Sequence, residues 1–302
     1  RSKGLGAVFE AMGKHLTASP MLSSVVLSGS LLQQLANASQ QEWLSAIISG
    51  EKRLALAIDE QARHKPEAIE TTATADGDGF VLNGHKTMVI DGVSPDGWIV
   101  AAKHQEGVSL FIVPFSEEVN VSRVKLVDSR NYANLTFEQL KLPADALLGK
   151  ANEAAIALDK SLDLGRLCLS SEILGAIKAI FAMTVEYLQV REQFAVKIGT
   201  FQALQHRAAK CFIELELAQS TVISALSKAD SDADDFAASV SLAKWKLGKV
   251  ADLISGEAVQ MHGGIGVTDE LDVGLYLKRI RVAQMSLGDV DFHHARYAQL
   301  TA

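Results

Sequence analysis

The chain has 302 residues, enough for about two domains, with 48% hydrophobic residues and a net charge of −7. That acidic balance, with a pI near 5.6, excludes the broad basic face of a nucleic-acid binder. It leaves room for local basic patches around an anionic ligand. No apolar run approaches the ~20 residues of a membrane span. The two cysteines, Cys168 and Cys211, lie in apolar, helix-patterned text and read as reduced core thiols of a cytoplasmic protein rather than a disulfide framework. The opening Arg1-Ser-Lys-Gly is neither a signal peptide nor a usual start, so residues upstream of Arg1 are expected.

Residues 1–51 read as an N-terminal helical segment. Leu5, Val8, Phe9, Met12 and Leu16 recur at three- and four-residue spacing. Pro20 and a serine-rich link end that helix. Leu31 to Ile48 predicts a second, with Gly50 as its stop. From Lys52 to Gly149 the pattern shortens to β runs separated by Gly/Asp turns, beginning with Thr71-Thr-Ala-Thr-Ala-Asp-Gly-Asp-Gly-Phe. Further runs start at Trp98, Val108, Val121 and Asn134. Six to eight strands are expected, in a small barrel or sandwich. From 150 to 302 the helical period returns, with four long helices near 151–190, 200–228, 234–261 and 268–300, read as a four-helix bundle.

Two segments of this last region carry chemistry. The first is Arg191-Glu-Gln-Phe-Ala-Val-Lys-Ile-Gly-Thr-Phe-Gln202. A diphosphate needs a fixed cation, and arginine offers a planar fork of donors. The bland reading is a solvated helix end with Phe194 and Phe201 as core residues. The second is Gln260-Met-His-Gly-Gly-Ile-Gly-Val-Thr-Asp-Glu270. Its glycines let the backbone approach a ligand closely and free amides to face it. Here the bland reading is a helix C-cap with a turn.

In this order and at this separation, the two segments resemble the flavin-binding signature of acyl-CoA dehydrogenases. The helix–sheet–helix order, uncommon in one chain, matches that family's α+β multidomain fold of N-terminal helices, middle β-domain and C-terminal four-helix bundle. The resemblance runs from Gly4 to Leu300. It implies FAD as cofactor, an acyl-CoA substrate and an electron-transfer flavoprotein as acceptor. It also implies a dimer or tetramer, because the family binds FAD at a subunit interface. Arg191, Gln193, Phe194 and Gln202 would touch the pyrophosphate and adenosine of a neighbouring subunit's FAD. Gln260, Gly263 and Gly264 would lie against its adenine and pyrophosphate.

The resemblance breaks at the base. Most members place a glutamate before Gly-Thr near the C-terminus; the matching run here is Gln284-Met-Ser-Leu-Gly-Asp289, with Leu287 at that position. A minority place it within Leu-Asp-Leu-Glu-Arg; here Gly165 stands in Leu162-Asp-Leu-Gly-Arg166. Asp289 is the leading substitute base, as nitroalkane oxidases of the superfamily use an aspartate, with Asp163 and Glu172 behind it. The β-domain stretches around the flavin ring have changed too. Ile58-Asp-Glu-Gln-Ala-Arg-His-Lys65 stands in one, and Met88-Val-Ile-Asp-Gly92 puts Ile90 where a threonine hydroxyl would meet flavin N5. His262 would line or cap the cofactor site, while adjacent His293 and His294 point to different helix faces and make a poor metal pair.

Three readings follow: a dehydrogenase with a displaced carboxylate; a non-catalytic subunit completing the FAD site of a larger, glutamate-bearing sister, as in two-subunit steroid side-chain dehydrogenases; and a flavin monooxygenase. Gly165, Ser170, Ser171 and Gly175 either open room for a bulky acyl chain or mark close helix packing.

Overall fold

A computed structural model of the chain describes residues 2–302. It divides into two compact units, Ser19–Gly165 and the pair Arg1–Ala18 with Arg166–Ala302. The boundaries expected at 51/52 and 149/150 follow changes of secondary structure; these contact-defined units are drawn elsewhere.

The first unit opens with a π-helical stretch, Met21–Ser28, followed by α2 (Gly29–Leu35) and α3 (Gln41–Ser49). The expected helix from 31 to 48 is therefore broken. Asn37 accepts the Gln40 N–H at 3.0 Å, closing a local turn that competes with helix continuation. Eight strands form one sheet: β1 (Leu54–Ala57), β2 (Thr72–Asp76), β3 (Gly79–Ile90), β4 (Gly97–His104), β5 (Gly107–Pro114), β6 (Asn120–Val124), β7 (Tyr132–Leu142) and β8 (Leu147–Leu148). Their order is β6-β7-β3-β2-β4-β5-β8, with β1 paired to β4. The unbroken apolar run of β4 is buried along nearly its whole length, as a central strand requires. Trp98, Phe111, Phe137, Leu82 and Leu135 form its core, and the Trp98 indole N–H donates to Gly92 O at 3.1 Å.

One buried ion pair shapes the loop before β2. Lys86 Nζ donates to Glu60 Oε1 at 2.6 Å and to Ile58 O at 3.0 Å. Glu60 also accepts the backbone N–H groups of Glu70 and Thr71. Burial raises the Glu60 carboxyl, but Lys86 and Thr71 outweigh it and hold it below the usual range.

The second unit contains α1 (Ser2–Lys14), most of α4 (Ala155–Val190), α5 (Gln202–Ser231), α6 (Phe236–His262), α7 (Val273–Met285) and α8 (Val290–Leu300). By length and composition alone α4 is long and apolar enough to cross a membrane, yet 67% of its apolar window is buried inside the protein; the sequence expectation of no such run missed it. The expected fourth helix is two, because Leu287 and Gly288 both take positive φ, 56° and 108°. α1 crosses α4 at two glycines: a Cβ on Gly13 would overlap the Glu172 carbonyl, and one on Gly175 the Glu10 carbonyl. Ser170 and Ser171 are buried and bond back to Arg166 O and Leu167 O. At these three positions small residues serve packing.

Candidate functional site

Both candidate cofactor segments begin where a long helix ends. α4 stops at Val190, and a two-residue ladder follows, pairing β9 (Glu192–Gln193) with β10 (Val196–Lys197). Phe194 and Ala195 form its turn with φ 55° and 63°. Two-residue hairpins favour positive φ at both central positions, which usually calls for Asn or Gly. Here the turn forces two ordinary side chains into left-handed backbone, a cost of about 1–2 kcal/mol each. Its product is Phe194 standing 89% exposed, touched edge-on by Phe201 at 6.2 Å. It is not a core residue. Arg191, Gln193 and Gln202 are exposed as well, and the Arg191 guanidinium has no hydrogen bond or ion pair among the described residues.

α6 ends at His262, and Gly263 (φ 68°) turns the chain into a short 3-10 segment, Gly263–Val267. Gln260, Gly263 and Gly264 are exposed. Nothing lies within 4 Å of a Cβ built on Gly264, whose backbone is ordinary. Among the described residues, neither backbone nor packing therefore demands glycine there. His262 Nδ1 lies 2.8 Å from Ala258 O, and its ring stacks on Tyr187 with centroids 4.4 Å apart. Tyr187 O in turn accepts the Arg191 N–H at 2.9 Å. The two segments are thus clamped at one end of the bundle, facing outward.

A second centre surrounds the turn between α7 and α8. Lys244, on α6, donates to the carbonyls of Ala283 (3.2 Å), Gln284 (3.0 Å) and Gly288 (2.9 Å). Arg166 Nε donates to Leu287 O at 3.2 Å, with the guanidinium over the Phe292 ring. His293 Nε2 lies 3.2 Å from the same oxygen, which makes it the donor and leaves Nδ1 unpartnered. All three side chains are buried. Burial lowers Lys244 to about 7, Arg166 adding to the shift and Asp289 opposing it. Burial, with Lys244 and Arg166, holds His293 neutral, far below its usual range. The Leu287 carbonyl thus takes two donors while its N–H makes no hydrogen bond among the described residues.

The candidate carboxylates have other occupations. Asp289 Oδ1 caps α8, accepting Phe292 N–H at 2.9 Å. Glu172 is held bidentately by Arg279, at 2.8 and 3.0 Å. Asp163 is buried and partnered. Leu287 itself is buried and has no group to accept a proton.

In the other unit, Met88 and Asp91 take positive φ, 54° and 57°, where the β3–β7 register shifts between Lys86 and Val89. Bulges of this kind re-aim side chains beside functional sites. Gln61, Arg63 and Lys65 of the 58–65 stretch are exposed. His293 and His294 do not combine: His293 is buried and His294 is exposed against Trp245. No metal-holding group of His, Cys, Asp or Glu occurs among the described residues.

Sequence reasoning missed Tyr187, Lys244 and Arg166. Lys244 had a signal: it falls on the apolar stripe Val240, Leu247, Ala251 and Ile254 of α6, all buried, where a lone lysine must find partners.

Two family models match the chain, "Acyl-CoA dehydrogenase, middle domain" over residues 55–140 and "Acyl-CoA dehydrogenase, C-terminal domain" over 155–299. The 3-(aryl)acrylate reductase of Clostridium sporogenes is 30% identical over 295 residues, covering 93% of this chain and 74% of that protein. The caffeyl-CoA reductase-Etf complex subunit CarC of Acetobacterium woodii is 29% identical over 293 residues, with the same coverage. Among solved structures, the ChsE4-ChsE5 complex from Mycobacterium tuberculosis matches with a TM-score of 0.89 at 26% identity, over 98% of this chain and 79% of that one.

Proposed function

The chain belongs to the acyl-CoA dehydrogenase family, whose members depend on FAD, and on that premise we propose that it completes an FAD site in a dehydrogenase assembly whose proton-abstracting base comes from a related subunit. The residues present fit the dinucleotide. An exposed arginine and a glycine, the one unpaired and the other unconstrained by packing among the described residues, gather with an exposed phenylalanine held by a strained turn at one end of the bundle. Arg191 would bind the pyrophosphate, Phe194 and Gln202 would lie against the adenosine, and Gln260, Gly263 and Gly264 would admit it closely.

Bound FAD supplies the hydride acceptor for the family's reaction. The α-proton still needs a base. The single observation that carries the proposal is that Leu287 occupies the turn while Asp289, Glu172 and Asp163 are all engaged. The ChsE4-ChsE5 complex supplies a precedent for a hetero-oligomer, and the CarC relative, a subunit of a reductase-Etf complex, makes an electron-transfer flavoprotein the acceptor we infer.

A second reading retains Asp289 as base, because capping engages only Oδ1. The test is an anaerobic visible spectrum of the purified chain, titrated with a panel of acyl-CoAs. The proposal expects no bleaching of any bound flavin until a glutamate-bearing sister subunit is added. Bleaching by the chain alone overturns it in favour of Asp289.

A further inference from the structure

We propose that Lys197 is a positioning residue for the cofactor, which by joining the last carbonyl of α4 to the Glu192 carboxylate holds the Phe194–Ala195 turn in the form that presents Phe194 to FAD. This rests on the FAD reading above.

The hairpin after α4 has little of its own to hold it. Its ladder is two residues long on each side, Val196 opposite Gln193 and Lys197 opposite Glu192, and a two-stranded ribbon by itself is at best marginal in water. Its turn places Phe194 and Ala195 at φ 55° and 63°, backbone that glycine or asparagine adopts far more readily. Phe194 stands out into solvent, so burying that ring within the chain does not offset the strain. Lys197 is the cross-link at the base. Its Nζ donates to Val190 O at 3.1 Å and to Glu192 Oε1 at 2.6 Å. The first bond satisfies a carbonyl at the C-terminus of α4, where a cation also complements the helix dipole. The second crosses the ladder to the residue directly opposite in register. One side chain therefore ties together the helix end, the outgoing strand and the returning strand. The ammonium in turn holds the Glu192 carboxyl below its usual range. The carboxylate next to Arg191 in the chain is thus already matched, and the guanidinium is left for a diphosphate. Side chains alternate along a strand, so exposed Gln193 and Val196 project from the face opposite the clasp. Cutting the clasp leaves that second face untouched.

The test is the FAD affinity of the intact assembly, read by flavin fluorescence, in Lys197→Met and in Lys197→Met combined with Ala195→Gly. Both positions are exposed, so the melting temperature should stay at the wild-type value. Lys197→Met, which keeps the stem and deletes the donors, is expected to weaken FAD about fivefold, the upper worth of an exposed ion pair. Adding Ala195→Gly is expected to restore the affinity, because glycine holds left-handed backbone without a clasp. A lysine that acted only by touching the diphosphate would not be rescued in this way. A second readout needs no cofactor. The Ile198 N–H donates to Arg191 O at 2.9 Å, and its hydrogen exchange in the apoprotein should quicken in Lys197→Met and slow again in the double variant. An FAD affinity unchanged in Lys197→Met overturns the proposal. So does a loss that Ala195→Gly does not recover, or one that leaves Ile198 exchange at the wild-type rate. Failure of the wild-type assembly to bind FAD overturns the cofactor reading and this inference together.

Discussion

Tyr187 and His262 stack with ring centroids 4.4 Å apart, one turn before Arg191 and one residue before Gly263. This contact joins the hairpin to the glycine loop, although 75 residues separate the two rings in sequence. Aromatic pairs of this kind contribute about 0.5–1.5 kcal/mol beyond the area they bury. A double-mutant cycle of Tyr187→Ala and His262→Ala is expected to show coupling of that size in FAD affinity, measured by flavin fluorescence. Strict additivity would mean that the stack does not organise the site.

Gly264 offers a cleaner separation of binding from stability. Gly264→Ala meets no atom within 4 Å, so its thermal stability should stay within about 0.5 kcal/mol of wild type. FAD affinity is expected to fall several-fold, because the added methyl occupies space only a ligand or partner would use. Unchanged affinity would remove this loop from the site.

Asp289 can be tested without losing its cap. Asparagine caps helices as well as aspartate does, so Asp289→Asn should melt like wild type, whereas Asp289→Ala should lose about 1 kcal/mol. If the chain shows any flavin reduction by acyl-CoA, loss of that reduction in Asp289→Asn would identify the base. The proposed function expects reduction by the mixed assembly to survive the substitution.

Glu172 and Arg279 form a buried bidentate pair in the bundle. Glu172→Gln leaves the guanidinium without its charge partner, and the expected loss is about 3–5 kcal/mol. Replacing both by methionine should recover most of it, since two buried charges no longer need each other. Chemical denaturation of the single and double variants decides the matter.

Lys244 gives the stability a pH signature. Its folded value is about 7 against an ordinary 10.5, so between those values the unfolded chain binds more protons. The contribution of this group therefore rises with pH across that window and is lost as pH falls through about 7. Urea melts at several pH values should show a rising slope in wild type that is absent from Lys244→Met.

Much of this was legible in the sequence. Short alternating runs gave the β-sheet, and the Arg191 and Gln260 segments, singled out separately along the chain, meet at one end of the bundle. Leu287 and Gly288 were not read as a helix break, because leucine is a helix former and only tertiary anchoring by Lys244, Arg166 and His293 holds it left-handed. The break after Leu35 did carry a signal in Asn37, outweighed by the apolar period around it. For Phe194 the sequence offered a cofactor reading beside a core one, because hydrophobicity alone does not tell a buried side chain from one awaiting a partner. The membership of α1 in the bundle was invisible: Gly13 and Glu172 lie 159 positions apart, and no local pattern reports such a contact.

That last contact sets an order of assembly. The unit Ser19–Gly165 is continuous and can close as soon as its own residues leave the ribosome. The bundle cannot: its first helix is made first and must wait, apolar face unmatched, until the rest is synthesised. Closing so long a loop costs little more than closing a shorter one, so the price falls on time rather than equilibrium stability. A fragment beginning at residue 150 would lack the helix that Gly175 was shaped to receive.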